Sequence, residues 1–249
     1  NDQSNNLSYL NEYSQIDLLN NVNQFQDKET KFFMSTQNKV SRTRKEVINY
    51  IKNHDIFNGI FLILIWGGHK TNSIADILIH LYDKKNIDEL RSSLCDASKS
   101  LGDVYESLSK IDGIGPAYFT KILYFYTHAY VKNWKTQTYI MDQFTSKSMN
   151  LIRKSEISKV INLSNDEFEF DKIKDKSPST LDQKTSFSKY DNFNNDIIRI
   201  TNFFKEKGNN NLNEEIIETM LFGEDKNKNK TYNTSPFKLW RTYVNENYN

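Results

Sequence analysis

The sequence has little of several residue types, and each shortage excludes a class of protein. Among its 249 residues only Cys95 is a cysteine, so no disulfide can form within the chain and a reducing, cytoplasmic location is expected. A single cysteine also excludes a four-cysteine iron–sulfur cluster. The few histidines lack the spacing of metal ligands, so we expect no metal and no other cofactor. These histidines are His54, His69, His80 and His128.

Long hydrophobic runs are also missing. The longest, IFNGIFLILIWGG over residues 56–68, is too short to cross a membrane and predicts a buried core helix that ends at a Gly-Gly pair. No leader of the secretory type opens the sequence, so neither a secretory signal nor a membrane partner is expected. The formal net charge of +1 is low for a DNA-binding protein, so the placement of charges matters more than their sum.

Proline and glycine, the usual helix breakers, number only three and eight. Alternating β-branched stretches are scarce, and apolar residues recur with the helical period. The sequence therefore predicts an all-α protein. The predicted helices cover residues 44–52, 56–66, 73–82, 87–97, 104–111, 116–131, 143–153, 190–205, 212–222 and 237–244.

The chain is long enough for one large domain or two small lobes. Residues 1–40 predict an N-terminal helical extension, residues 41–154 a helical core, and residues 155–249 a C-terminal helical region that completes a second lobe. Within the last region, residues 164–186 are charged and poor in apolar side chains, which predicts an exposed loop.

A glycine-rich turn is predicted within residues 107–121, SLSKIDGIGPAYFTK. Gly113 and Gly115 allow a tight turn, and Pro116 suits the first turn of a new helix. In such a turn the backbone N–H groups of Gly113, Ile114 and Gly115 can bind a DNA phosphate together with the positive end of the second helix. The alternative is a simple turn between two packed helices.

The sequence IDGIGPAYFTKILYF followed by YIMDQFTSKSM resembles the helix-hairpin-helix DNA glycosylase superfamily, and in particular the bacterial proteins with the 8-oxoguanine DNA glycosylase (OGG) fold. The resemblance implies a two-lobed helical fold with Lys121 and Asp142 as catalytic residues. This chain departs from the well-known repair enzymes in one respect. Their lysine stands where this chain has Ala117, and Lys121 lies one helical turn further along.

The chemistry explains why a lysine and an aspartate belong together. Breaking the C1′–N bond of a nucleotide passes through a cation-like sugar, which a carboxylate such as that of Asp142 stabilises. The amine of Lys121 can attack C1′ and form a Schiff base, and burial among apolar neighbours would disfavour its charged form. β-Elimination from the Schiff base then nicks the strand. The predicted enzyme is therefore bifunctional.

Each candidate residue also has a plain structural interpretation. Lys121 could be a solvated helix side chain, and Asp142 is a good helix N-cap before QFTSKSMNLI. Gln143 could contact a base edge, and Trp66 and Trp240 could stack on an extruded base, although aromatic side chains of helical proteins commonly form the core.

The predicted function is that of a DNA glycosylase with AP-lyase activity, acting as a monomer on double-stranded DNA. Its substrate would be an oxidised or modified base, with 8-oxoguanine implied by the resemblance, in host repair or in defence against phages with modified DNA. Two alternatives remain open: a non-catalytic helix-hairpin-helix protein that binds nucleic acid, and a related enzyme that acts on a modified nucleotide or RNA base.

Overall fold

The computed structural model confirms a predominantly helical, all-α protein. It describes residues 43–54, 56–67, 77, 90–94, 99–111, 114–130, 138–171, 180–182, 184–223 and 236–248. The helices are α1 (Arg44–Asn53), α2 (Ile56–Trp66), α3 (Leu101–Ser109), α4 (Pro116–Tyr130), α5 (Gln143–Lys154), α6 (Ile157–Ile161), α7 (Phe187–Glu206), α8 (Glu214–Phe222) and α9 (Pro236–Tyr248). Two short strands, β1 (Phe170–Asp171) and β2 (Thr180–Leu181), pair antiparallel.

Most predicted helices agree with the structure apart from shifts at their caps, but the short helix α6 was not predicted. The predicted start at residue 104 is three residues late, because Ser100 caps α3 and makes a reciprocal capping box with Asp103. Ser186 is likewise the N-cap of α7, so that helix begins at Phe187 and not at the predicted residue 190. The predicted extension over residues 1–40 lies outside the described residues. So do most of the two helices predicted over 73–97, of which residues 77 and 90–94 are helical.

The chain forms two compact units, and each contains two separate segments. The first unit comprises residues 1–114 and 125–133, and the second comprises residues 115–124 and 134–249. Helix α4 therefore begins in the second unit and ends in the first. The predicted regions 1–40, 41–154 and 155–249 are divisions along the chain and stay a prediction.

The first unit is built around the apolar helix α2. Its middle residues are buried, and tyrosines near the end of α4 bond to the backbone of α1 and α2. The Tyr126 hydroxyl donates to the Ile56 carbonyl at 2.9 Å, and the Tyr130 hydroxyl donates to the Ile51 carbonyl at 2.7 Å. Across the described ranges, no helix combines the length and apolar character needed to span a membrane.

The second unit places α5 among α7, α8 and α9. At its C-terminal end, Arg153 forms a buried ion pair with Asp196 of α7, with 2.8 Å between Nε and Oδ2. The segment predicted as an exposed loop over residues 164–186 is not exposed throughout. Phe168 is 2% exposed, and its backbone N–H and carbonyl both bond to the Asn150 side chain.

Candidate active site

The turn before α4 has the expected position. The Ile114 N–H donates to the Ile111 carbonyl at 3.3 Å, which closes a turn between α3 and α4. Pro116 is the first residue of α4, as predicted. The central residues of the turn, Asp112 and Gly113, lie outside the described residues, so the predicted phosphate contact of Gly113 stays a prediction.

The other two predicted backbone contacts differ in their surroundings. The Ile114 side chain is buried, and its N–H is already bonded within the turn. A Cβ built on Gly115, in contrast, meets no heavy atom within 4 Å among the described residues. Its φ lies outside the left-handed region, so the backbone conformation does not itself require glycine. What Gly115 provides is an open approach to the start of α4.

Lys121 reaches back along its own helix. Its side chain is buried, with 7% exposure for the whole residue, and Nζ donates to the Ala117 carbonyl at 2.8 Å. Helical side chains lean toward the N-terminus, so this geometry is a normal one for a long side chain. The amine of Lys121 therefore lies beside the backbone of residue 117, one helical turn before its own Cα.

A buried hydroxyl joins the chain segments that carry the two candidate catalytic residues. Thr120, directly before Lys121, donates to the Pro116 carbonyl at 2.7 Å and accepts the Met141 N–H at 3.3 Å. Its hydroxyl also lies 3.1 Å from the Met141 carbonyl. Met141 directly precedes Asp142. Thus the structure brings the predicted lysine and aspartate into the same part of the second unit.

Asp142 is the N-cap of α5, and its cap bonds use one of its two carboxylate oxygens, Oδ1. Oδ1 accepts the Phe144 N–H at 2.9 Å and the Thr145 N–H at 3.0 Å, and the Thr145 hydroxyl accepts the Asp142 N–H at 2.9 Å. The structural interpretation as an N-cap is confirmed. The hydrogen bonds that the described residues donate to this carboxylate are accepted by Oδ1. These bonds orient the carboxylate, and Oδ2 accepts none of them.

Tyr118, which the sequence did not point to, lies near Lys121 and within electrostatic range of Asp142. Its ring centroid is 5.2 Å from Lys121 Nζ. Burial raises the pKa of the Tyr118 hydroxyl, and the negative charge of Asp142 raises this pKa further. The spacing held a usable signal, because a residue three positions before Lys121 shares its helix face.

The predicted base-pocket residues have different environments. Gln143 is half-buried, and its Oε1 atom is buried without a hydrogen-bond partner among the described residues. Trp240 donates from Nε1 to the Ser148 hydroxyl at 2.9 Å. Trp66 lies in the first unit, edge-on to Phe125 at 5.0 Å between ring centroids. The tryptophan contacts are packing contacts, and a stacking role for either ring stays a prediction.

The second unit contains another buried lysine, Lys147, that was not among the predicted site residues. Lys147 is 0% exposed, and its Nζ atom has no hydrogen-bond partner among the described residues. Nζ lies 5.5 Å from the centroid of the Phe170 ring. Burial lowers the pKa of Lys147, and the positive charge of Arg241 lowers it further. Lys147 belongs to the motif YIMDQFTSKSM, four residues after Gln143. This spacing places the two residues on the same face of α5 and could have identified Lys147 from the sequence.

No cluster of three or more His, Cys, Asp or Glu side chains suited to a metal ion occurs in the described part of the chain.

Comparison with known proteins supports a DNA-acting enzyme. A family model described as "Putative 8-oxoguanine DNA glycosylase OGG-like protein" matches residues 17–190, which is more than half of the chain and includes both Lys121 and Asp142. No curated protein and no solved structure matches the chain. The protein belongs to this OGG-like family.

Proposed function

We propose that this protein is a bifunctional DNA glycosylase and AP lyase that removes an oxidised or similarly modified base from duplex DNA. The observation that carries the proposal is the position of the Lys121 amine. It is folded back to the Ala117 carbonyl, beside the Tyr118 ring that experiences the charge of Asp142. A nucleophile and a carboxylate on one rigid helical framework are what cleavage of a glycosidic bond requires.

The first step is base release. The lone pair of Lys121 Nζ attacks C1′ while the C1′–N bond breaks, and the bonding electrons leave with the base, which takes up a proton. The Asp142 carboxylate stabilises the positive charge that develops on the sugar. The N-cap bonds of Oδ1 hold the carboxylate in a fixed direction and leave Oδ2 for the sugar.

The second step is strand cleavage. Loss of the Nζ proton and opening of the sugar ring convert the adduct into a Schiff base between Lys121 and C1′. Removal of a proton from C2′ then expels the 3′-phosphate, and water releases the lysine and the cleaved product. The buried position of Lys121 favours this role, since it holds the amine away from bulk water at a fixed place beside the Ala117 carbonyl.

The DNA backbone would approach the start of α4. Gly115 leaves the space beside its backbone open, and the N-terminal end of a helix attracts phosphate. A phosphate contact of the Gly113 N–H stays a prediction, whereas the Ile114 N–H is already bonded to the Ile111 carbonyl. Host repair and defence against phages with modified DNA would both use this chemistry, in the cytoplasm and with a monomeric enzyme.

The proposal is tested by borohydride trapping and strand incision on duplexes that carry a single 8-oxoguanine or a single abasic site. We expect the wild-type protein to trap on the abasic duplex and Lys121→Gln to lose trapping and incision while still binding DNA. The matched control is Lys159→Gln, an exposed lysine of the same unit with 78% side-chain exposure. Equal incision by wild-type and Lys121→Gln protein would sink the lyase mechanism.

A further inference from the structure

Asp142 lies at the end of a buried segment that belongs to no helix or strand. Residues 138–142 precede α5, and every one of them is 7% exposed or less. A buried backbone outside a helix or sheet needs other hydrogen-bond partners, because unpaired N–H and carbonyl groups are costly away from water. The position of Asp142 therefore depends on the groups that bond to this segment.

Side chains from two helices bond to the backbone of this segment. At Tyr139, the Asn194 Oδ1 atom accepts the N–H at 3.1 Å, and the Tyr190 hydroxyl donates to the carbonyl at 3.0 Å. Both of these side chains belong to α7. At Met141 the partner is Thr120 of α4, whose hydroxyl accepts the N–H at 3.3 Å. The segment is thus held by α7 near its beginning and by α4 directly before the candidate carboxylate.

Thr120 is itself fixed within α4. Its side chain is fully buried, and its hydroxyl donates its one proton to the Pro116 carbonyl at 2.7 Å. The lone pairs of the same oxygen remain available for the Met141 N–H, and a β-branched side chain has few accessible rotamers. Lys121 follows Thr120 directly. One turn of α4 therefore carries both the candidate nucleophile and the hydroxyl that holds the segment before Asp142.

We propose that Thr120 is a positioning residue for base release. By accepting the Met141 N–H, it fixes the place at which the Asp142 carboxylate meets the sugar. This inference rests on the proposed glycosylase function. A displacement of about 1 Å in a reacting group can cost about 100-fold in rate. Thr120 acts through Asp142 and contacts no reacting atom. The amine of Lys121 is held separately, by its bond to the carbonyl of Ala117.

The test compares side chains that differ by the hydroxyl. Thr120→Val keeps the branched shape and removes the acceptor, and Thr120→Ser keeps the acceptor. We expect single-turnover base release from a duplex with one 8-oxoguanine to fall about tenfold or more in Thr120→Val, and to stay within about threefold of wild type in Thr120→Ser. Borohydride trapping on an abasic duplex, from which the base is already gone, should stay within about threefold in both. If valine prevents folding, Thr120→Ala against Thr120→Ser gives the same comparison.

Thr201→Val is the matched control. Thr201 is a fully buried threonine of the same unit, and its hydroxyl bonds to the Ile197 carbonyl of its own helix at 2.9 Å. Its loss should lower the free energy of unfolding and leave base release within about twofold of wild type. Equal losses of base release in Thr120→Val and Thr201→Val would reduce Thr120 to a structural role and overturn the inference.

The pKa of the Tyr118 hydroxyl provides a measurement that does not depend on activity. The charge of Asp142 contributes to the raised pKa of this group. A carboxylate that has lost its fixed place acts from a longer average distance, so this pKa should fall in Thr120→Val and stay unchanged in Thr201→Val. Wild-type base release by Thr120→Val, or an unchanged Tyr118 pKa in that variant, overturns the inference. A wild-type protein that traps on neither duplex would show that the proposed function fails, while a fallen Tyr118 pKa would still support Thr120 as the residue that positions Asp142.

Discussion

The amine of Lys121 lies 5.2 Å from the centroid of the Tyr118 ring, three residues earlier on α4. Tyr118 in turn experiences the negative charge of Asp142, which raises the pKa of its hydroxyl beyond the effect of burial. Tyr118 is therefore in the electrostatic range of both candidate catalytic residues. The pKa of the Tyr118 hydroxyl at the start of α4 therefore reports on the charge of Asp142 at the start of α5.

We expect Asp142→Asn to abolish most base release with little change in stability. Asparagine caps helices about as well as aspartate, so the free energy of unfolding should change by less than about 0.5 kcal/mol. The developing positive charge on the sugar would lose its carboxylate, and single-turnover base release should fall by about 100-fold. Asp142→Ala removes the cap as well and should lower the free energy of unfolding by about 1 kcal/mol. Base release by Asp142→Asn at the wild-type rate would contradict a catalytic role for the carboxylate.

The pKa of Tyr118 should fall in Asp142→Asn. A nearby negative charge disfavours the tyrosinate, so its removal makes deprotonation easier. The measurement is a pH titration followed by NMR of tyrosine labelled at Cζ, with the Tyr118 signal assigned from Tyr118→Phe. Asp191→Asn serves as the control, because Asp191 does not contribute to this pKa. An unchanged Tyr118 pKa would mean that Asp142 lies too far away to share one site with it.

We expect Gly115→Ala to fold normally and to bind DNA more weakly. The added methyl group meets no heavy atom of the described residues within 4 Å, and its φ lies outside the left-handed region. The melting temperature should therefore stay the same or rise slightly. The methyl group would occupy the space through which a phosphate approaches, so the dissociation constant for duplex DNA should rise by about tenfold, as measured by fluorescence anisotropy.

Unchanged DNA affinity in a folded Gly115→Ala protein would remove this turn from the DNA interface. Gly208→Ala is an unsuitable control, because that residue has a φ of +92° and the substitution would be strained. A better control is Ser109→Ala, which changes a side chain at the end of α3 whose hydroxyl bonds to the carbonyl of Glu106.

Lys147→Met should stabilise the protein, and the gain should shrink as the pH rises. Methionine has a similar length and leaves no unbonded buried donor, so the free energy of unfolding should rise by about 1 kcal/mol or more at pH 7. The pKa of Lys147 is lowered in the folded state from its ordinary value of 10.5. As the pH rises through the folded-state value toward 10.5, the unfolded chain binds more protons than the folded one, and the wild-type protein gains stability.

Urea denaturation of wild-type and Lys147→Met protein between pH 7 and pH 10 measures this effect. Lys154→Met should show no such trend, because that lysine is exposed and paired with Glu167. A stability difference that stays constant over this range would mean that Lys147 titrates alike in the folded and unfolded chains.

Local sequence signals predicted most of the described helices well. Pro116 does begin α4 and Asp142 does cap α5, because caps and first turns depend on residues within three or four positions of each other. The start of α3 was predicted three residues too late although its signals are equally local: Ser100 and Asp103 form a capping box, and the apolar pattern begins at Leu101. The exposed-loop prediction overlooked Phe168, whose burial depends on Asn150 of a different element.

By itself the sequence determined the helical class of the protein, the turn before α4, and the family to which residues 17–190 match. The tertiary structure decided that Lys121 folds back to Ala117, that Tyr118 experiences the charge of Asp142, and that Lys147 is buried. Helical periodicity and helix caps depend on residues that are close together along the chain, so the amino-acid sequence is enough to predict them. Burial and electrostatic environment arise between residues that folding brings together, so only the packed structure reveals which lysine is enclosed and what surrounds it.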